Sequence, residues 1–393
     1  MNVHEPDIDR LISAFNLEEP DWVPHWEPHI HGRAIEYILG RRVTFRPLDI
    51  CDELELSSTV TNEKTIKSKP NYSEEEWLIR FNMGGINWRL RPSDYIEFCR
   101  KTRTDVMTIN ISKRAAGRFL EESLERNSKR FEGKALATTL EESIINDWED
   151  LDKLEFGTID AQIKFLEDLV EAKRGTKIGV AGMTRSVLCN TYSVMGIANF
   201  SRKLYTDRKL VEAVMDIFLA NSIEITESIS RFDIDFFYLD DDIADSHGPL
   251  ISQKLLRELW LPRTEEMLKP VKRKEILIAW HCCGNLKQVI PLAVELGINA
   301  INPIQSSCND IEELKKMYGD EICLVGGIDI GWPLSFGTPK DVMKVVKSYI
   351  EKIAPGGGYV AASSHSIINS IPPENYKAMV EAVHTYGKYP IRP

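Results

Sequence analysis

The sequence lacks long hydrophobic runs, an excess of basic residues and a regular cysteine pattern. No apolar run approaches the roughly 20 residues of a membrane-spanning helix. The opening MNVHEPDIDRL has neither the basic nor the apolar stretch of a secretion signal. A formal net charge of −11 leaves no basic stripe for nucleic acid. Seven scattered cysteines are typical of reduced thiols, since an odd number does not pair into a disulfide framework. We therefore expect a cytoplasmic globular enzyme that binds neither nucleic acid nor membranes.

The sequence also lacks a complete phosphate-binding motif. Gly326-Gly327 and Gly356-Gly357-Gly358 are glycine-rich, but neither completes the P-loop or the dinucleotide-binding pattern. They are more typical of tight turns at strand boundaries. We therefore expect the chain to hold no organic cofactor of its own.

What the sequence contains is a repeated alternation of strand-like and helix-like segments. The strand-like runs are almost continuously hydrophobic, as strands buried on both faces are. Segments such as Thr206–Ser230 and Thr338–Ile353 between them have apolar residues at helical spacing. This alternation predicts an α/β fold with parallel strands, and eight strands predict a closed (β/α)8 TIM barrel. An open doubly wound sheet is the alternative. The predicted strands are Val23–Pro28, Thr104–Ile109, Lys177–Ala181, Asp233–Leu239, Glu275–Trp280, Ile298–Pro303, Ile322–Gly326 and Tyr359–Ala362.

The barrel prediction makes residues 1–393 a single domain. Residues 1–20 are expected to form an N-terminal extension. Residues 40–100 and 113–160 exceed the length that one strand–helix unit needs, and we expect them to form helical decorations over the barrel mouth. The sequence leaves the oligomeric state open, a homodimer included.

Residues capable of chemistry concentrate at the predicted strand ends. In a barrel the carboxyl ends of all strands meet at one mouth, so side chains there converge. Six of the eight histidines lie at such positions. The candidates for binding substrate are Trp26, His29, Asp240, Trp280 and Asn302, and core packing is the alternative for the two tryptophans.

The sequence His281-Cys282-Cys283 is the sharpest local signal. Residues i and i+2 of an extended segment point to the same side, so His281 and Cys283 are placed to chelate one ion while Cys282 faces the opposite way. Zinc accepts nitrogen and sulfur donors and usually takes four ligands. His365 after the last strand is the expected third ligand. The alternative is that these are ordinary residues at the end of a barrel strand.

Two further groups of residues supply carboxylates. One carboxylate of Asp240–Asp242 is expected to point into the mouth as an acid, a base or a substrate anchor, with Asp241 and Asp242 favoured. The alternative is that the run caps the next helix. Glu27 at the end of the first strand is the expected fourth metal ligand, because the first and eighth strands of a closed barrel are neighbours. A solvated polar loop is the alternative there.

Several segments together resemble the uroporphyrinogen decarboxylase superfamily. The resemblance is good from about residue 175 onwards and thin between 40 and 170, and it implies a (β/α)8 barrel. The segments occur in the order seen in that superfamily: Pro20–Pro24, Tyr238–Ala244, Gly248–Ser252, His281–Gly284, Gly326–Asp329, Gly356–Tyr359, Ser364–Ile367 and Pro372–Asn375.

Two branches of the superfamily differ in the residues that their sites require. Its decarboxylases carry an arginine-rich segment, of the form M-R-Q-A-G-R, after the first strand, where this sequence has Trp26–His31 without arginine. Its zinc-dependent methyltransferases use H-x-C and a late cysteine as ligands. Here His281 and Cys283 match the first part, and His365 stands where the late cysteine would be.

The resemblance to the methyltransferase branch implies zinc and a corrinoid (cobalamin) carried by a partner protein. The favoured reaction is O-demethylation, in which a methyl group passes from a methoxyaromatic donor to the cobalt. Asp241 or Asp242 would then supply a proton or hold a ring hydroxyl. The alternatives are a corrinoid-protein:thiol methyltransferase of the coenzyme M type, a uroporphyrinogen-type decarboxylase and a non-catalytic corrinoid-binding partner.

Overall fold

Seven parallel strands form a curled central sheet. The structure, a computed structural model, describes residues 5–41, 90–113, 115–116 and 143–391. Each strand pairs with the next one along the chain, so the order in the sheet is the order in the sequence. The strands are β1 Val106–Asn110, β2 Gly179–Arg185, β3 Phe236–Asp240, β4 Leu277–His281, β5 Ala300–Ile304, β6 Cys323–Ile328 and β7 Tyr359–Ser363.

The two faces of the sheet pack against different layers. Alternate residues such as Phe237 and Leu239 lie on the outer face, in a core shared with the helices. Phe236 and Tyr238 lie on the inner face, in a smaller cluster that also contains Trp26. Both faces are therefore apolar, which accounts for the nearly continuous hydrophobic runs in the sequence.

Helices surround the outer face, and one helix, α1 (Ile8–Phe15), closes the bottom of the curled sheet. The amide of Ile8 in α1 donates to the carbonyl of Lys177, just before β2. Helix α11 (Pro339–Ile353) begins as its sequence predicts, with a capping box between Thr338 and Asp341 and a proline in the first turn. The helices are α1 Ile8–Phe15, α2 Gly32–Leu39, α3 Pro92–Thr102, α4 Asp160–Ala172, α5 Val187–Met195, α6 Ile197–Thr206, α7 Arg208–Ile229, α8 Leu261–Lys272, α9 Ile290–Glu295, α10 Ile311–Tyr318, α11 Pro339–Ile353 and α12 Pro373–Tyr386.

Shorter elements complete the described chain. Gln253–Leu255 and the π-helical turn Leu256–Trp260 lead into α8, and a second π-helical segment, Ile330–Ser335, follows β6. A 3-10 helix spans Trp148–Lys153. Two antiparallel pairs lie outside the main sheet: Ala115–Ala116 with Glu155–Phe156, and Ala244–Asp245 with Gly248–Pro249.

The first predicted strand is not a strand, so the barrel is not fully closed. Segment 22–30 runs beside β7 and makes isolated bridges: two parallel ones, from His25 to Ala361 and from Ile30 to Ile367, and an antiparallel one from Trp22 to Lys388. Pro24 and Pro28 have no backbone N–H, so a continuous hydrogen-bonded ladder cannot form there. The prediction of eight paired strands is corrected to seven among the residues that the structure describes, in an α/β fold that is consistent with an open TIM-like barrel.

In the described part of the chain, the outer edge of β1 is covered by α3 instead of by a strand. The hydroxyl of Tyr95 accepts from the amide of Thr108 at 2.9 Å and donates to the carbonyl of the same residue at 3.3 Å. On the inner side, the indole N–H of Trp26 donates to Oγ1 of Thr108 at 2.9 Å. The side chains of Tyr95 and Trp26 therefore join β1 to α3 and to segment 22–30.

The predicted decorations fall largely outside the described residues. Helix α1 lies within residues 1–20, α3 lies at the end of 40–100, and the 3-10 helix lies within 113–160. Residues 42–89, 114 and 117–142 of the two decorations are outside the described part. The single-domain organisation stays a prediction. No helix in the described part is both long and apolar enough to cross a membrane.

Candidate functional site

Four polar side chains form a row at the carboxyl ends of neighbouring strands, which we call the mouth. Asp240 pairs in register with Arg185 of β2 and with His281 of β4, and His281 pairs with Asn302 of β5. All four continue the inward-facing alternation of their strands, which Tyr238 and Ala279 share. The row therefore crosses the mouth over the inner core.

Asp242, His281 and Cys283 lie close enough together to hold a metal ion. One possible donor atom from each lies within 4.8 Å of the other two. Nε2 of His281 is 3.5 Å from Sγ of Cys283 and 3.7 Å from Oδ1 of Asp242. The amide of Cys283 donates to that carboxylate at 2.7 Å, which fixes the turn after β4. Among the described residues, this triad is the group with metal-ligand geometry.

Contacts with Tyr238 and Asn302 orient the His281 ring. The hydroxyl of Tyr238 donates to Oδ1 of Asn302 at 2.6 Å, which leaves the phenol oxygen to accept from Nδ1–H of His281 at 3.0 Å. Nδ1 also lies 3.3 Å from Oδ1 of Asn302. With the proton on Nδ1, the lone pair of Nε2 points toward Cys283. Such a partner behind a ligating histidine sets its tautomer and raises its basicity.

Two further histidines lie beside the triad. The rings of His29 and His365 are each 6.3 Å from the ring of His281. Burial, followed by the electrostatic interaction with the neighbouring His281, lowers the pKa of His29 to about 4. Burial and His281 also lower the pKa of His365. Both imidazoles are therefore neutral near pH 7 and keep a nitrogen lone pair for coordination.

The donor chemistry of this cluster suits zinc. A thiolate, an imidazole and a carboxylate are ligands that zinc accepts in tetrahedral sites. Nδ1 of His29 is buried and has no hydrogen-bond partner among the described residues, as expected of a nitrogen beside a position for a cation. Burial, followed by the charge of Asp242, raises the pKa of the Cys283 thiol above its usual range. A metal must therefore displace a proton in order to bind there.

Asp240 stays ionised because of its neighbours. Burial acts to raise its pKa, but the interactions with its neighbours, led by the charge of Arg185, outweigh burial and lower the pKa. Nε of Arg185 donates to Oδ2 of Asp240 at 3.1 Å. Asp240, which we predicted to bind substrate, therefore faces inward and already has Arg185 as a cationic partner.

Asp241 points away from the mouth, unlike its predicted inward orientation. Its carboxylate accepts from the amide of Cys189 at 2.7 Å, near the start of α5, and from the indole of Trp260 at 2.7 Å. Burial raises its pKa to about 7. Because Asp240 faces inward, the alternation of β3 sends Asp241 outward, where it anchors α5.

Three other predicted residues lie apart from the triad. Trp26 is completely buried in the inner core, with its ring 4.8 Å from that of Tyr238. Trp280 is on the outer face, stacked on Trp260 at 5.1 Å. Glu27, predicted as the fourth metal ligand, accepts from both the amide and the hydroxyl of Ser363. Burial raises its pKa to about 8, so it is mostly protonated at neutral pH.

Sequence reasoning missed Arg185 and Tyr238. Tyr238 reads as one more apolar residue of a buried strand, because the sequence does not show which face meets His281. Arg185 ends a strand that we predicted to stop at Ala181, four residues earlier. The signal available was its position two residues after Met183, in phase with the buried inner residues.

The fold and the site together define an α/β enzyme scaffold with a candidate metal centre at the carboxyl ends of its strands. The chain belongs to the uroporphyrinogen decarboxylase (URO-D) family, whose pattern matches residues 130–386. The resemblance stated from the sequence motifs is confirmed at this level.

Individual relatives and a solved structure are similar to this chain. A uroporphyrinogen decarboxylase of Trichlorobacter lovleyi is 23% identical over 53% of this chain and 59% of its own length. One of Pseudoalteromonas atlantica is 32% identical over 20% of this chain and 21% of its own. The chain thus spans from about a fifth to three fifths of these relatives. A methyltransferase from Methanosarcina mazei has a similar fold, with a TM-score of 0.62 and 15% identity, over 98% of this chain and 99% of that one.

Proposed function

We propose that this chain is a zinc-dependent methyltransferase that moves a methyl group from an O-methylated aromatic donor to the cobalt of a separate corrinoid protein. The observation that carries the proposal is the triad of Asp242, His281 and Cys283 at the mouth of a URO-D family scaffold. The fold shared with a methyltransferase is consistent with it.

We assign Asp242, His281 and Cys283 as zinc ligands, with His365 completing the set. His29 lies beside these ligands, with its ring 6.3 Å from the ring of His281. When bound, zinc supplies a Lewis acid that stabilises negative charge on the oxygen that loses the methyl group. Asp242, which we predicted to be catalytic, is thereby proposed as a ligand instead. The catalytic role predicted for Asp241 stays a prediction.

The chain's own residues orient the donor. The side-chain Nδ2 of Asn302 is buried and makes no hydrogen bond to the described residues, so it has a free N–H for the donor's oxygen. Its Oδ1 is held by Tyr238, which fixes the direction of that N–H. Asn302 is therefore the residue we assign to bind the reacting oxygen, in keeping with its predicted substrate-binding role.

A decarboxylase is the second candidate, favoured by the names of the curated relatives. The segment Trp26–His31 contains no arginine to bind the acidic side chains of a porphyrinogen. The triad also offers a thiol and an imidazole where a metal-free lyase needs cationic groups. Methyl transfer is therefore the stronger proposal.

Metal analysis tests the ligand assignment. We expect the full-length protein, purified with zinc present, to contain about one equivalent of zinc, because three donors already lie within coordination range. Cys283→Ser should lose most of it. Cys282→Ser is the matched control, because this buried thiol lies on the outer face. Less than about a tenth of an equivalent in the unmodified protein, or equal loss in both variants, contradicts the assignment.

A demethylation screen tests the activity. The zinc-loaded chain is mixed with cob(I)alamin, as a stand-in for the corrinoid partner, and with a panel of methoxybenzenes. We expect the cob(I)alamin absorbance to disappear and the matching phenol to form, both only with zinc present. Methyl transfer from methylcobalamin to coenzyme M, without demethylation, indicates the thiol methyltransferase instead. Turnover of a porphyrinogen by zinc-free protein indicates a decarboxylase.

A further inference from the structure

Arg185 has unused hydrogen-bond donors at the mouth. It is the last residue of β2 and faces inward, and 43% of its side chain is exposed. Among the described residues, Asp240 is its hydrogen-bond partner, through Nε. Its terminal N–H groups make no hydrogen bond to the described residues. A guanidinium presents these groups as a planar fork that matches a carboxylate.

The charge balance around Arg185 limits what it can bind. Among the inward residues of the row, Arg185 is the cationic side chain, and Asp240 lies between it and His281. At this end of the row, two strands from the proposed zinc ligands, the ligand meets one guanidinium that is already paired with Asp240. One guanidinium does not offset a doubly charged phosphate. A ligand group with one negative charge fits better.

Distance sets the kind of molecule that can reach both ends of the row. Arg185 stands two strands away from His281, about 10 Å along the sheet at the usual strand spacing. At the far end, the buried Nδ2 of Asn302 is a second donor without a partner among the described residues. The distance between Arg185 and the triad suits a single aromatic ring that carries an ether oxygen at one end and an acid group at the other. The side chains at both ends of the row cover the rest of the distance.

We propose that the methyl donor is an aromatic carboxylic acid and that Arg185 binds its carboxylate. This inference rests on the proposed methyltransferase function, because the ether end of the donor lies at the triad. Arg185 thereby determines which methoxyaromatic compounds are accepted, while Asp240 holds its guanidinium in place.

Equilibrium binding tests the inference without requiring turnover. Calorimetry on the zinc-loaded full chain compares 4-methoxybenzoate with 4-methoxybenzamide, which differs in having no charge. We expect the unmodified protein to bind the benzoate roughly 10- to 100-fold more tightly, the usual effect of a charge-assisted pair. Arg185→Gln should reduce this preference to less than about threefold, while its amide can still donate to Asp240.

Arg208→Gln is the matched control. Arg208 has a similarly exposed side chain, at 39%, and is paired with Glu212 and Glu258 on the outside of the molecule. It should keep the full preference for benzoate. The comparison of the two ligands on the unmodified protein needs no variant, so it stands even if Arg185→Gln does not fold.

The outcomes separate this inference from the proposed function. Equal binding of both ligands, binding of neither, or an undiminished preference in Arg185→Gln overturns the inference. Demethylation of uncharged methoxybenzenes as fast as of methoxybenzoates overturns it as well, while leaving the methyltransferase in place. Benzoate binding that depends on Arg185, in a protein without demethylase activity, supports the carboxylate site and overturns the function.

Discussion

Replacing Tyr238 with phenylalanine tests whether the residues behind His281 tune the metal site. The substitution removes one hydroxyl and keeps the ring, whose contacts with Trp26 at 4.8 Å and His281 at 6.1 Å are unchanged. It deletes the nearest partner of the His281 Nδ1–H, at 3.0 Å. What remains is Oδ1 of Asn302 at 3.3 Å.

The expected loss of zinc affinity depends on the remaining contact with Asn302. Losing the partner of a ligating histidine typically weakens metal binding 10- to 100-fold. Because Asn302 can still accept the proton, we expect the lower end for Tyr238→Phe, about tenfold or 1.4 kcal/mol. The lost buried hydrogen bonds should also lower the free energy of unfolding by about 1–2 kcal/mol.

The assay is competition for zinc between the protein and a chromophoric chelator at pH 7.5. Tyr359→Phe is the control, because the Tyr359 hydroxyl is also buried and donates to the carbonyl of Gly326 at 3.1 Å, away from the triad. It should lose comparable stability and keep its zinc affinity. Zinc affinity within about twofold of the unmodified protein in Tyr238→Phe would refute the tautomer argument.

Three further predictions concern residues around the site. Because the pKa of Glu27 is raised from about 4.5 to about 8, its contribution to stability is full below pH 4.5 and is lost as the pH rises toward 8. Glu27→Gln should therefore flatten the fall in unfolding free energy between pH 5 and 8, as measured with urea; an unchanged slope contradicts this. Asp241→Ala should cost about 2–4 kcal/mol of stability while one equivalent of zinc remains, and loss of zinc would contradict its role as the anchor of α5. His365→Ala should weaken zinc binding at least about tenfold by chelator competition, and His365→Cys should restore it, because thiolate replaces imidazole in zinc sites; unchanged affinity would exclude His365 as a ligand.

The sequence predicted the strands because their burial on both faces leaves long apolar runs. The same property hid the orientation of each strand. Phe236, Phe237, Tyr238 and Leu239 are all buried and largely apolar, so nothing in the run shows that Asp240 points inward. Asp241 was therefore expected at the mouth, although the structure turns it toward α5.

The region around His281 was more predictable because its geometry is local. An i, i+2 pair needs only an extended backbone to share a side, and the structure brings His281 and Cys283 together. Longer-range partners depend on register between strands that are far apart in sequence. Asp242 was expected to be an acid and lies in the triad, and Glu27 was expected there and is held by Ser363.

The hydroxyl of Tyr95 has a consequence for how the protein avoids self-association. An unpaired strand edge is a template on which another chain can add a strand. At the open edge of β1, that hydroxyl occupies both the amide and the carbonyl that a foreign strand would use. Protection against edge-to-edge aggregation is therefore concentrated in α3, and damage to that helix would expose a pairing site next to the unclosed side of the sheet.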